Sequence, residues 1–208
     1  MSKASVLVLA TRYDVATFFT YQWAQRLHEQ LTSLDHVCFL LDPVIVCRSG
    51  SSLSEAISCV DFVVFYGHGE KDDWITLPST ASGPRTSIVN SSNVSLLDGR
   101  HIYAGCCNSL TGLAVAYISA FPNSSYIGYQ NQFTFEAENQ EHFRNVVNGS
   151  VLDFVKGSSH TSVIKNLQTS WENLRDQFTA GGMMQFNKNA FVASQYAEEN
   201  RKRCGSRP

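Results

Sequence analysis

The sequence predicts an α/β fold in which a mostly parallel sheet is covered by helices on both faces. Short apolar runs of strand length alternate with segments whose apolar residues recur every three or four positions. Because helix-sized segments separate most of the predicted strands, these strands should pair in parallel through crossover connections. A length of 208 residues with 43% hydrophobic content fits one domain with an ample core.

Five strands and four longer helical segments can be placed along the chain. The predicted strands are Val6–Ala10, Val37–Leu41, Phe62–Tyr66, His101–Gly105 and Ser125–Tyr129, with Val44–Cys47 fitting an extension of the second strand. Helical periodicity covers Val15–Leu31, Leu110–Phe121, Glu136–Asn148 and Val163–Phe178, and the run "SGSSLSEAIS" at 49–58 favours a short helix with serine caps. This order of elements is typical of a layered α/β domain.

A polar segment from Glu70 to about Gly99 interrupts this pattern. It is rich in Ser, Thr, Asn, Pro and Gly, and it is longer than an ordinary connection between a strand and a helix. Long polar loops in compact domains commonly carry function. We therefore expect this segment to lie over the edge of a site and to be mobile until a substrate or partner orders it.

Composition and charge argue against several classes of ligand and environment. A net charge of −2 with 16% charged residues gives no field that would recruit nucleic acid or anionic lipid. No apolar run approaches the roughly 20 residues of a membrane span, and the first residues lack a signal-peptide pattern, so we expect a cytoplasmic protein. The six cysteines show no C-x-x-C spacing and lie mostly in apolar surroundings, so neither disulfides, a metal site nor another cofactor is predicted.

A histidine and a cysteine, both residue types that commonly act in catalysis, each come just after a predicted strand. His68 comes just after the third strand in "FYGHGE", and Cys107 comes just after the fourth strand in "IYAGCCNS". The carboxyl ends of parallel strands meet at one edge of a sheet, where ligands gather. If the two strands are neighbours, about 4.8 Å apart, the imidazole and the thiol emerge within mutual reach.

This pairing meets the chemical needs of a cysteine nucleophile. A thiol at its free pKa is only a few per cent thiolate at neutral pH, and a nearby imidazole or a helix N-terminus favours the anion. Cys107 is predicted to have both, since a helix should begin near Ser109. Gly69 has no Cβ, so its N–H can approach a substrate closely and form an oxyanion hole with the N–H of Cys107.

The runs "FYGHGE" and "IYAGCCNS", each a hydrophobic strand closed by a catalytic-type residue, resemble the caspase-like cysteine peptidases (clan CD), and "CCNSLTGLA" is most similar to the CHAT branch. The resemblance implies a caspase-haemoglobinase-like fold, a Cys-His dyad and cleavage of peptide bonds after a selected residue. By this similarity Cys107 is the nucleophile, His68 the general base and acid, and Gly69 with Cys107 the oxyanion donors. The peptidase domain would span residues 1–197, followed by a charged, flexible tail at 198–208.

Cys106 departs from the pattern of that branch, where an alanine usually precedes the nucleophile. The motif alone therefore leaves open which of the two thiols attacks. Consecutive residues of an extended chain point to opposite sides. Cys106 is accordingly expected to be a small buried residue of the core.

The same similarity places the pocket for the P1 residue between the loop after the first strand, "TRYD", and the residues after the fifth, "GYQNQFTFEAE". The candidate S1 residues are Arg12, Asp14, Gln130, Glu136 and Glu138. The three acids would select a basic P1 residue, whereas Arg12 would select an acidic one. Each charge also has a structural alternative, as a helix cap or first-turn acid for the carboxylates and as a solvated surface charge for Arg12.

The function predicted from the sequence is thus a cysteine endopeptidase acting on a protein substrate. In the CHAT proteins that the chain resembles, a regulatory domain or partner commonly gates activity, so a separate regulatory protein is expected. Two other classes stay open: an inactive binding or signalling module with the same cleft, and a Cys107-dependent acyl hydrolase or transferase acting on a non-peptide substrate.

Overall fold

The computed structural model describes residues 3–43, 53–77 and 86–207. The strands are β1 (Ser5–Ala10), β2 (Val37–Leu41), β3 (Phe62–Tyr66), β4 (His68–Glu70), β5 (Asp73–Leu77), β6 (Thr86–Asn90), β7 (His101–Gly105), β8 (Tyr126–Tyr129) and β9 (Cys204–Arg207). The α-helices are α1 (Val15–Ser33), α2 (Leu53–Ser58), α3 (Gly112–Ala120), α4 (Gln140–Val155), α5 (His160–Phe178) and α6 (Ala190–Arg203). The predicted extension at 44–47 lies outside the described residues.

The main sheet has six strands in the order β2-β1-β3-β7-β8-β9. Its pairs are parallel except for β8 with β9, which is antiparallel. Strands β3 and β7 are direct neighbours in register, from Phe62 opposite His101 to Tyr66 opposite Gly105. The segments that follow them, which carry His68 and Cys107, therefore leave the sheet at the same level.

Helices cover both faces of this sheet, because the strand residues alternate between two apolar clusters. One cluster packs β1, β3, β7 and β8 against α1, α4, α5 and α6, through side chains such as Trp23, Phe143 and Trp171. The other packs the opposite faces of the strands against α2, α3 and the β5–β6 strands, through side chains such as Ile57, Leu113 and Trp74. The predicted α/β class, with a mostly parallel sheet and helices on both faces, is confirmed.

The polar segment after His68 is not one continuous loop. Strands β4, β5 and β6 form a second, antiparallel sheet of three strands. Trp74 anchors this sheet: its side chain is fully buried, stacks on Phe65 with ring centroids 4.7 Å apart, and donates a hydrogen bond to the Tyr126 hydroxyl at 3.0 Å. Ile88 and Val89 of β6 are buried in the same apolar cluster. A few apolar side chains thus hold a segment whose overall composition predicts a loop.

Residues 198–207 are also ordered, where the sequence predicts a flexible tail. Helix α6 runs through the predicted boundary at 197 to Arg203, and β9 extends the main sheet at its edge. The buried Asn200 side chain holds the helix in place, because its amide bonds the backbone N–H and C=O of Thr134 at 3.2 and 2.6 Å. Packing on one face thus orders a segment whose exposed faces are charged.

In the described ranges, no helix is both long enough and apolar enough to cross a membrane.

Candidate active site

His68 stands at the carboxyl end of β3, where the chain passes from the main sheet into β4. Its Nε2 atom lies 2.7 Å from Oδ2 of Asp14, and its ring centroid lies 5.7 Å from that of Tyr13. Both His68 and Asp14 are about 40% exposed, at 39% and 41% of the side chain. The imidazole is therefore oriented by a carboxylate at the rim of the site rather than in its depths.

Asp14 comes from the loop after β1 and has two roles at once. Its Oδ1 atom accepts a hydrogen bond from the Thr17 amide at 2.8 Å and so caps helix α1, in a capping box with Thr17. Its Oδ2 atom faces His68. Burial alone would raise the pKa of Asp14, but the hydrogen bonds from Thr17 and His68 outweigh it and lower that pKa below its usual value.

Cys107 lies in the turn between β7 and α3. Helix α3 begins only at Gly112, with Thr111 as its N-cap, rather than near Ser109 as predicted. Since the field of a helix terminus falls off within about one turn, α3 gives the Cys107 sulfur little of the expected stabilisation. Asn108, the next residue, has a left-handed backbone with φ of 54°, which re-aims the chain after the thiol.

The Cys107 sulfur is held by the backbone of Phe133, in the loop after β8. Its Sγ atom accepts a hydrogen bond from the Phe133 N–H at 3.3 Å and donates one to the Phe133 carbonyl at 3.7 Å. Burial raises the pKa of the Cys107 thiol, and the Phe133 amide opposes this shift only in part. The thiol is thus neutral near pH 7 in this state and needs a base to become a nucleophile.

His68 and Cys107 line the same small pocket, of about 70 Å³. The other side chains of its wall carry no charge: Ala16, Thr17, Thr20, Phe133 and Phe135, together with the backbone of Gly67. An imidazole and a thiol facing one concave space can share a proton with a group bound there. His68 and Cys107 thus border one pocket, at the ends of two neighbouring strands.

Cys106 points to the other side of the sheet. It is 1% exposed and packs in the cluster that contains Trp74 and Tyr126, whereas Cys107 packs against the opposite cluster. Burial raises the pKa of the Cys106 thiol well above its usual value. This thiol is closed off from any substrate, whereas Cys107 lines the pocket with His68.

Gly69 is buried against the two cysteines. A Cβ atom at this position would lie 2.5 Å from the Cys107 carbonyl oxygen and 2.6 Å from Sγ of Cys106. No side chain fits there, so the glycine allows the backbone of β4 to pack directly on the turn that carries Cys107. The two predicted oxyanion donors, the N–H groups of Gly69 and Cys107, thus belong to segments in direct contact.

The charged S1 candidates other than Asp14 make contacts of their own. The Arg12 guanidinium pairs with Asp42 at 3.3 Å and lies over the Tyr21 ring at 5.0 Å. Glu138 pairs with Lys188. Arg12 and Glu138 are absent from the described lining of the pocket that holds His68 and Cys107.

Glu136 and Gln130 also face other partners. The Glu136 carboxylate accepts hydrogen bonds from the Asn139 amide and side chain and from Asn189, which together lower its pKa against the opposing effect of burial. Gln130 is exposed, and its N–H donates to the Arg203 carbonyl. Asp14 is also absent from the described lining of that pocket, but it bonds two residues that line it, Thr17 and His68.

Two functional contacts went unpredicted. Asp14 as the partner of His68 could have been inferred, because it follows β1 at the same sheet edge and β1 pairs with β3. The hydrogen bonds between the Phe133 backbone and the Cys107 sulfur have no comparable signal in the sequence, since they depend on how the loop after β8 folds back over the turn. Sequence patterns locate strand ends far better than loop paths.

Neither a protein-family model nor a curated protein sequence matches the chain. Among solved structures, the Arg-specific cysteine proteinase gingipain R aligns with 97% of this chain and 45% of its own, at a TM-score of 0.54 and 13% identity. A second structure, described as a protease, aligns with 97% of this chain and 46% of its own, at a TM-score of 0.52 and 12% identity. The chain therefore spans less than half of either protein. At this identity the likeness establishes the architecture alone: the chain has the caspase-haemoglobinase-like fold of gingipain R.

Proposed function

We propose that this chain is a caspase-like cysteine endopeptidase, most like the CHAT branch, that cleaves a protein substrate with Cys107 as nucleophile and His68 as general base. The observation that carries the proposal is the pocket into which both side chains face. The fold shared with two proteases supports it as context. Fold alone would not assign an activity, because one fold hosts many chemistries.

The geometry supports a specific sequence of proton transfers. Nε2 of His68 faces Asp14, so the other ring nitrogen is the one available to accept the Cys107 proton. The sulfur then attacks the scissile carbonyl carbon, and the N–H groups of Gly69 and Cys107 bind the oxyanion. His68 returns the proton to the leaving amine, which departs, and water hydrolyses the acyl-enzyme. Asp14 stabilises the imidazolium that exists between these steps.

A peptide carrying an irreversible thiol-reactive group tests this proposal directly. We expect stoichiometric labelling of Cys107, identified by mass spectrometry, and a labelling rate that falls about 100- to 10,000-fold in His68→Ala, the usual scale for an acid–base group. Cys106→Ala is the matched control and should label like the parent. Labelling that is independent of His68, or that occurs on Cys106, would refute the dyad.

Cleavage after a basic P1 residue is part of the proposal, and its support rests mainly on Asp14. All three acids have partners: Glu136 bonds Asn189, Glu138 pairs with Lys188, and Asp14 bonds Thr17 and His68. Asp14 is preferred because its partner His68 lines the pocket and its own side chain is partly exposed. A guanidinium at P1 could form charge-assisted hydrogen bonds with this carboxylate. The competing expectation is an uncharged P1 residue, because the wall of the pocket is apolar or hydroxylic.

A positional-scanning peptide library read at P1 separates these expectations. Preference for Arg or Lys that is lost in Asp14→Asn assigns the pocket to Asp14. Preference for an apolar residue assigns specificity to the uncharged wall. Preference for Asp or Glu would give the role to Arg12 instead.

A regulatory protein partner and a cytoplasmic location complete the proposal. The five described cysteines are free, which suits a reducing compartment. The neutral Cys107 thiol, held on both sides by the Phe133 backbone, suits an enzyme that a substrate or partner must activate. Activity that rises when a partner binds would support this reading, and full activity of the isolated chain would contradict it.

The same hydrogen bonds between Phe133 and Cys107 favour one alternative, an inactive binding module of the same fold. In that case the thiol is a packed residue, and the pocket binds a peptide without chemistry. The peptide probe decides here too, because a module retains reversible peptide binding and shows no covalent product that depends on His68. A Cys107-dependent acyl hydrolase would label but would leave peptide substrates intact.

A further inference from the structure

A cavity lies at the amino ends of the central strands, on the opposite side of the sheet from the ends that carry His68 and Cys107. It has a volume of about 510 Å³ and is lined by Lys3, Ala4, Asp61, Phe62, Gly99, Arg100, His101, Val155, Lys156 and Gly157. These residues precede β1, β3 and β7, begin β3 and β7, or end or follow α4. Since β3 and β7 have five residues each, roughly 16 Å of strand separates this cavity from the ends that carry His68 and Cys107.

The cavity wall carries a net positive charge, whereas the whole protein carries a net negative one. Three cations, Lys3, Arg100 and Lys156, face one anion, Asp61, in a chain whose net charge is −2. Asp61 is already engaged, because its Oδ2 atom accepts hydrogen bonds from the Ser5 amide at 2.9 Å and hydroxyl at 2.7 Å. Concave sites lined by one sign of charge concentrate ions of the other sign.

The cations of the wall are only partly satisfied within the described structure. Nη2 of Arg100 bonds Asp98 and the Ser58 carbonyl, but its Nε atom is buried without a partner. Among the described residues, the exposed ammonium groups of Lys3 and Lys156 form no ion pair. Buried polar groups without protein partners commonly bind an ordered water or ion.

His101 also lines the cavity, and a bound anion would change the protonation of its imidazole. Its ring packs on Phe62 and Phe154, with ring centroids 5.3 and 6.0 Å apart. Its Nδ1 atom is buried and has no hydrogen-bond partner among the residues that the structure describes. Burial lowers the pKa of His101, and the Asp61 charge opposes this only in part. A second anion near the ring would favour the protonated form.

We infer that this cavity binds a phosphorylated small molecule, whose phosphate meets Lys3, Arg100 and Lys156 and whose uncharged part packs on Phe62. A phosphate dianion matches the cluster of cations. The volume exceeds that of a bare phosphate and falls in the range of small-molecule sites.

Lys156 has an alternative role that the test must separate. It follows the last residue of α4, where a cation stabilises the helix by complementing its dipole. If that is its sole function, Lys156→Gln lowers the melting temperature slightly and leaves ligand affinity unchanged. If Lys156 binds the ligand, Lys156→Gln lowers the affinity for it.

Isothermal titration with the intact chain at low salt tests the inference, with AMP, inorganic phosphate and adenosine as probes. We expect saturable AMP binding with a dissociation constant below about 1 mM, weaker binding of phosphate, and none of adenosine. Raising the salt concentration should weaken AMP binding, because the contacts are exposed charges. In parallel, AMP should shift the NMR signal of His101, identified by its loss in His101→Gln.

The variant Lys3→Gln/Lys156→Gln should bind AMP about tenfold more weakly. Lys165→Gln is the matched control, since Lys165 is an exposed lysine of α5 outside the cavity, and it should bind like the parent. The inference fails if no phosphate compound binds at millimolar concentration, if adenosine binds as well as AMP, or if the double variant binds like the control.

Discussion

Substitution of Asp14 tests whether the His68 carboxylate partner does more than cap a helix. Asp14→Asn keeps an oxygen at Oδ1 for the Thr17 amide, so the cap of α1 survives, but it removes the negative charge 2.7 Å from Nε2 of His68. Asp14→Ala removes both interactions. The two variants therefore separate a role in the fold from a role in orienting and stabilising the imidazolium.

The expected magnitudes follow from the geometry. A hydrogen bond to a charged group contributes about 1.5 to 3 kcal/mol, and the partial exposure of both side chains places this one at the lower end, so Asp14→Asn should slow labelling by the peptide probe about 10- to 30-fold. Its unfolding free energy should stay within about 0.5 kcal/mol of the parent. Asp14→Ala should show the same rate loss and lose a further 0.5 to 2 kcal/mol or so of stability.

Ser159→Ala is the matched control for the loss of a cap. Ser159 caps α5 by accepting the Ser162 amide at 3.3 Å and does not line the pocket of His68 and Cys107. It should lower stability in urea unfolding while the rate constant of inactivation stays that of the parent. If Asp14→Asn labels at the parental rate, or if Ser159→Ala slows labelling as much, Asp14 has no positioning role.

Three further predictions concern the thiols and the packing of α6. Cys107→Ala should abolish peptide cleavage and keep the fold. Cys106→Ala should keep most activity and lower the unfolding free energy in urea by about 1 to 2 kcal/mol, because it leaves a void in the core. The reverse pattern would make Cys106 the nucleophile. Because burial raises the pKa of Cys107, iodoacetamide at pH 7 should modify the exposed Cys59 before Cys107, with the Cys107 rate still rising above pH 9 by mass spectrometry; faster modification of Cys107 would show a preformed thiolate. Glu198→Gln should destabilise by about 0.5 to 1 kcal/mol at pH 7, discounted for exposure. Its carboxylate bonds Arg201 and Arg175, which lowers its pKa to about 2, so this stabilisation is complete above the unfolded-state value of about 4.3 and disappears as the pH falls toward 2. A difference from the parent that stays constant from pH 7 to 2 would argue against that network.

The parallel core could be predicted because each of its strands is a short apolar run between helical segments. Once β3 and β7 are placed, the rule that crossovers join parallel strands brings His68 and Cys107 to one edge. The antiparallel sheet of β4 to β6 was missed because it depends on a few side chains, Trp74, Ile88 and Val89, whose burial outweighs the polar composition around them. Composition averages over a segment, whereas packing responds to single side chains.

The helix and strand at residues 198–207 were not predicted, for a related reason. A run dense in charge reads as a solvated tail, but a helix needs only one apolar or hydrogen-bonded face to be ordered. In α6 that face holds Ala193, Ala197 and Asn200, and the charges lie on the other faces. Asn200 is polar, so a pattern of apolar residues alone does not reveal its burial against Thr134.

The structure also constrains how a dyad here can work. A preformed thiolate–imidazolium pair needs an environment that favours both charges. Cys107, however, is partly buried, is held by the Phe133 backbone and stands outside the first turn of α3. Asp14 favours only the imidazolium half of the pair. Proton transfer must therefore become favourable when a substrate enters, because the attack of sulfur on carbon consumes the thiolate as it forms and the oxyanion donors take up the charge. In the proposed mechanism, the loop that carries Phe133 acts on the nucleophile and the helix start that carries Asp14 acts on the base, so both control the rate.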